Sequence, residues 1–141
     1  MTSDDTPPGA FPPRPLRDLR VVYARQAGCP ADFAEIVVDF EPWEPGFVFE
    51  VHADLERRRP VPASELAVYA AAVEEGLRAE LATLAPEFPA AVAVVLRAVR
   101  VHEVDSHAGA FRTAGRLAVR RALAEVHGPP RRPKRSGPAQ R

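Results

Sequence analysis

Apolar residues recur at every second position in two stretches of this chain and at every third or fourth position in two others. Ile36, Val38 and Phe40 alternate with Glu35, Asp39 and Glu41. Phe47, Phe49 and Val51 alternate with Glu50 and His52 in the same way. A period of two puts the apolar side chains on one face of a strand and the charges on the other, so both stretches read as half-buried strands. The helical period takes over at 66–84, where Leu66, Tyr69, Ala70, Val73, Leu77, Leu81 and Leu84 share one face. The run AAVAVVL from Ala90 to Leu96 suits a buried strand. Phe111, Ala114, Leu117, Ala118 and Ala122 supply a narrower stripe for a second helix. With a first strand opening at Val21, Val22 and Tyr23, the order is strand, strand, strand, helix, strand, helix. A sheet with one apolar face has to be covered, so the pattern predicts an α+β two-layer sandwich with the helices on one face of one sheet.

Turn and cap residues divide these elements. Pro42-Trp43-Glu44-Pro45-Gly46 separates the two alternating stretches and predicts a hairpin between them. Pro62 precedes the first helix, with Ser64 as its candidate N-cap, and Pro86 and Pro89 end it. Gly128 before Pro129 stops the second helix. Nine of the 16 prolines fall at the two ends of the chain. Segments of that composition bury too little apolar surface to offset ordering. The expected organisation is therefore a disordered segment over 1–19, one domain over 20–128 and a disordered basic tail over 129–141.

Charge and composition exclude several functions. Cys29 is the single cysteine, which rules out an internal disulfide and a cysteine-cluster zinc site and suggests a reducing, cytoplasmic setting. The N-terminus lacks the basic start and apolar run of a signal peptide, and no stretch nears the ~20 apolar residues of a membrane helix. No G-x-x-x-x-G-K-[ST] phosphate loop occurs, so no bound nucleotide is expected. His52, His102, His107 and His127 lack metal-ligand spacing. Glu103 and Asp105 have the residue types of an acid/base pair but no accompanying nucleophile or metal ligands, so neither catalysis nor a cofactor is expected. Net charge is zero, yet residues 20–128 carry −4 and the tail holds five basic residues and no acid.

Two segments resemble a known family. VVYARQAGCPADFAEIVVDFEPWEPG is similar to the opening of the fourth domain of translation elongation factor G. There an R-Q-x-G element precedes a strand ending in E-P-L-E-P-G, matched here by Arg25, Gln26, Gly28, Glu41, Pro42, Glu44, Pro45 and Gly46. VHEVDSHAGAFRTAGRLAVRRAL resembles the family's H-[DE]-V-D-S-S-E-x-A-F-K-x-A-x-x-x-A-F-K-E pattern through His102, Glu103, Val104, Asp105, Ser106, Ala110, Phe111, Ala114 and Ala118. The intervening helix is in register through Ala72, Val73, Gly76 and Leu81. The resemblance implies a mostly antiparallel sheet with two helices on one face and a left-handed βαβ crossover, as in a small-subunit ribosomal protein domain. It also implies a tip of two loops that reach the decoding region of the small ribosomal subunit. In this chain the first loop corresponds to 102–106. The second, glycine-rich in the family, reads Glu56-Arg57-Arg58-Arg59-Pro60-Val61-Pro62. The family's serine and glutamate after Ser106 are His107 and Ala108 here.

The expected site is thus a pair of RNA-binding loops holding Arg57, Arg58, Arg59, His102, Glu103, Asp105, Ser106 and His107. Each has a plainer reading. The three arginines form a phosphate-binding loop, or a solvated one opposing Asp54 and Glu56. His102 offers an imidazole to RNA, or ends a strand at the surface. Asp105 and Ser106 read most simply as helix caps. Arg112, Arg116 and Arg120 recur at four-residue spacing on the second helix, most simply as a solvated face. The partner expected on these grounds is the small ribosomal subunit or another RNA. The alternative is a protein that binds the acidic body through Trp43.

Overall fold

The computed structural model describes residues 9–25, 32–58, 60–85, 87–102 and 106–127. The elements are β1 (Leu16–Arg25), β2 (Asp32–Pro42), β3 (Gly46–Val51), α1 (Ala53–Arg58), α2 (Ala63–Leu84), β4 (Ala91–Arg100) and α3 (Ala108–His127). One mixed sheet has the order β1-β2-β4-β3. β1 and β4 flank β2 antiparallel, and β3 runs parallel to β4. The α+β sandwich expected from the apolar pattern is present.

The expected hairpin is not. β2 and β3 are not neighbours, because β4 lies between them. The turn that suggested a hairpin straddles the start of β4 instead: Trp43 N–H donates to the Ala91 carbonyl at 2.8 Å and Gly46 N–H to the Ala90 carbonyl at 2.9 Å. Burial explains the preference. β4, apolar without a break from Ala91 to Leu96, belongs where neighbours cover both edges, whereas β3, with Val48 46% exposed and Glu50 outward, is suited to an edge.

α2 and α3 cover the face formed by Ile36, Val38, Phe40, Val92, Val94 and Leu96, all fully buried. The two helices approach backbone to backbone. A Cβ at Gly76 would stand 2.0 Å from the Arg112 carbonyl oxygen, and one at Gly115 would stand 2.4 Å from that of Val73. Across this seam the arginines of α3, which remain 41–60% exposed, also pair with α2: Arg112 Nε meets Glu75 at 2.7 Å, while Arg116 and Arg120 both reach the buried Glu80 at 3.2 and 3.0 Å. The four-residue spacing that suggested a solvated face also serves the neighbouring helix.

Two boundaries move. The folded unit begins before Arg20: the expected boundary falls inside β1, and Phe11 upstream is 1% exposed. Phe11 packs edge-on against Phe40 with ring centroids 5.9 Å apart, and its carbonyl accepts the Ala91 N–H at 3.0 Å. Two apolar side chains among prolines, Phe11 and Leu16, outweigh the composition of the segment. Residues 1–8 and the basic tail lie outside the described residues. Ser64 is not a cap, since α2 starts at Ala63 behind Pro62 with no side-chain cap.

Candidate nucleic-acid interface

Strand direction gathers the tip. β3 and β4 are parallel, so the segments leaving their C-terminal ends emerge at the same end of the sheet. Arg25 pairs with Asp32 in register, which brings the end of β1 and the start of β2 to that end as well. The connection between them, residues 26–31 with Gln26 and Gly28 of the R-Q-x-G element, lies outside the described residues. The chain thus leaves β3 at His52 and β4 at Val101 at one end of the sheet.

The 101–107 loop is fastened to the start of β2. The His102 ring packs on Phe33 with centroids 4.6 Å apart. The Ser106 hydroxyl donates to the Phe33 carbonyl and accepts the His102 N–H, each at 2.8 Å. Ser106 therefore ties loop to sheet and does not cap α3, whose first turn closes onto the His107 carbonyl through the Ala110 N–H at 3.0 Å. His107 Nε2 lies 2.8 Å from Asp32 Oδ1. Glu103 and Asp105 lie outside the described residues.

Asp32 is the electrostatic anchor of this fastening. Its hydrogen bond to His107 holds it below the ordinary carboxylate range. The charge of His107, the Tyr23 hydroxyl and the Arg25 guanidinium reinforce this, against partial burial. A lowered carboxylate stabilises the fold above its unfolded value, about 3.9, and that contribution is lost as pH falls through the folded value. We expect the Asp32 carboxyl, followed by NMR, to titrate below about 3.9 and to move back up in His107→Ala. An unchanged titration in that variant would break the link between loop and sheet.

The 52–62 segment is not an open loop, because 53–58 form helix α1. His52 starts it: its Nδ1 accepts the Asp54 N–H at 3.0 Å, and its own N–H reaches the Leu96 carbonyl at 2.9 Å. Histidine is not among the preferred capping residues, so no sequence signal marked this role. Leu55, 2% exposed, anchors the helix to the core. Arg57 is ion-paired with Asp54. Arg58 is exposed and has no carboxylate partner among the described residues. Arg59 lies outside them. Of the eight expected site residues, the structure describes Arg57, Arg58, His102, Ser106 and His107 at one end of the sheet. Among the described residues no grouping of histidine, cysteine and carboxylates is fit to hold a metal ion, and no helix is long and apolar enough to cross a membrane.

The family model for elongation factor G, domain IV matches residues 14–126. The chain belongs to that family. Domain IV coverage starting at residue 14 agrees with β1 beginning at Leu16. Elongation factor G 2 of Streptomyces coelicolor is 38% identical over 112 residues, an alignment covering 72% of this chain and 15% of that factor. The chain therefore spans a small part of the length of its curated relative. A crystal structure of a protein from Thermus thermophilus shares the domain IV fold, with a TM-score of 0.58 and 23% identity over 80% of this chain and 17% of that one.

Proposed function

We propose that this domain IV is a non-enzymatic ribosome- or RNA-binding module that modulates translation in the cytoplasm, with no cofactor. The observation that carries the reading is the parallel pairing of β3 and β4, which delivers the arginine segment and the histidine loop to one end. Arg57, Arg58 and Arg59 are the phosphate contacts, because a guanidinium presents donors in a fork that matches phosphate oxygens. His102 is the base-facing ring, backed by Phe33. Ser106 and His107 position the loop.

Co-sedimentation with purified small ribosomal subunits over a salt series tests this. The intact chain is expected to bind, as is a version ending at Gly128. Arg57→Ala/Arg58→Ala/Arg59→Ala is expected to lose binding, with the log–log salt slope falling by about two to three. No binding even at low salt would sink the proposal. A second reading, a protein partner, is favoured by one observation: Trp43 is 51% exposed at the opposite end of the sheet, and Val48 on β3 is 46% exposed.

A further inference from the structure

The face of the sheet turned away from the helices carries charges sorted by depth. The strand β2 places Glu35, Asp39 and Glu41 there, each met by an arginine of β1 or β4, and Glu35 by one from each. Arg20 Nε of β1 lies 2.7 Å from Glu35, which Arg100 Nη1 of β4 approaches at 3.3 Å. Arg97 Nη1 reaches Asp39 at 3.1 Å, and Arg17 grips Glu41 with two nitrogens at 2.7 and 3.0 Å. The formal charges nearly cancel, but their exposures do not. The Glu35 and Asp39 side chains are 11% and 6% exposed, against 60%, 41% and 68% for Arg20, Arg97 and Arg100. At these pairs guanidinium stands outside carboxylate, while Asp18, beside Asp39, is an exposed acid of the face. Arg20, Arg97 and Arg100 each engage a carboxylate through one nitrogen, and a guanidinium has five N–H donors, so most remain directed to solvent.

Arg20 and Arg100 meet at Glu35 on the half of the face nearest the tip, and Arg97 extends the row to Asp39. Arg100 pairs with Glu35 in register and directly precedes the 101–107 loop. Phe33, two residues before Glu35, carries the His102 ring, and Val22, 48% exposed, pairs with Glu35 from β1. The exposed Glu50 stands apart on the edge strand β3.

We propose that this half of the open sheet face is a second polyanion-binding surface, taking the phosphodiester backbone of the RNA strand that runs on from the tip loops. The proposal rests on the RNA-binding reading above. Arg20 and Arg100 reach Glu35 from the strands on either side of it, so their outward N–H groups flank it as two cationic contacts for the strand's phosphates. Phe33, His102 and Val22 supply the apolar ground on which a base lies, the pairing of aromatic platform and cationic groove used for single strands. Acidic polypeptide offers carboxylates to the same arginines but has no use for that platform.

Fluorescence anisotropy with a labelled RNA hairpin, over a salt series, tests the surface in the full chain. Arg20→Gln/Glu35→Gln/Arg100→Gln removes the cluster as a unit, so no buried carboxylate is stranded. It is expected to keep its melting transition, weaken RNA binding about tenfold and lower the salt slope by about two. Glu35→Gln alone strips the screening carboxylate and leaves the arginines, and is expected to tighten binding roughly two- to fivefold. Affinity unchanged in both, with loss only in the Arg57/Arg58/Arg59→Ala variant, overturns the sheet surface and leaves the tip reading standing. Loss only in the sheet variant removes the tip reading instead. No RNA binding by the intact chain overturns both, and a preference for polyglutamate over the hairpin replaces RNA with an acidic protein.

Discussion

Gly76→Ala is expected to destabilise the domain severely, although alanine is the better helix former. At an exposed helical site the exchange gains up to about 1 kcal/mol. Here the new methyl would lie 2.0 Å from the Arg112 carbonyl oxygen and 3.1 Å from the Arg116 nitrogen. Those are backbone atoms of α3, so no rotamer change relieves the clash and the two helices have to separate. Separation strips contacts from Val73, Leu77, Phe111 and Ala114, all fully buried. It also pulls the Glu80 carboxylate away from Arg116 and Arg120. Overpacking of this kind costs about 3 kcal/mol, which for a domain of this size lowers Tm by roughly 10–20 °C. Gly115→Ala should behave alike, because its Cβ meets the Val73 carbonyl at 2.4 Å. Thermal unfolding by circular dichroism gives the answer, and a raised Tm in either variant would show that the helices do not meet here.

Phe11→Ala tests whether the N-terminal segment belongs to the fold. The ring is 1% exposed and packs on Phe40, while the backbone of the same residue joins Pro89 and Ala91 at 2.9 and 3.0 Å. Truncating a buried phenylalanine costs about 3–5 kcal/mol. Pro13→Ala, at an exposed position two residues on, should stay within about 0.5 kcal/mol of the parent. A chain starting at Arg20 additionally loses Leu16 and Leu19, which are 4% and 6% exposed, and is expected not to fold cooperatively. Equal denaturant midpoints for Phe11→Ala and Pro13→Ala would return the boundary to residue 20.

The segments with an unbroken period were legible in the sequence. β2 and β3 alternate, and α2 repeats at helical spacing, because each buries one face against one layer, so burial writes its period directly into the residues. The family pattern was legible for the same reason as the fold: Ala110, Phe111, Ala114 and Ala118 are fully buried positions of α3. A place at one end of the sheet could be anticipated for Arg57, Arg58, His102, Ser106 and His107, since each follows closely on a strand that ends there.

Tertiary structure alone decided who stands beside whom. Alternation marks a strand's faces but not its edges, so nothing in β2 or β3 says that β4 inserts between them. Ser106 looks like a cap by sequence, yet its partner is Phe33, 73 positions away. His107 finds Asp32 at a separation of 75, and Glu80 finds Arg116 and Arg120 at 36 and 40. The arginines of the open face look neutralised when charges are counted along the chain, and only the fold reveals that their carboxylates lie beneath them. A side chain's local period reports its own burial, which is a property of one element. Ion pairs and hydrogen bonds depend on two elements placed to within a few ångströms, and that placement is fixed only when the whole core closes.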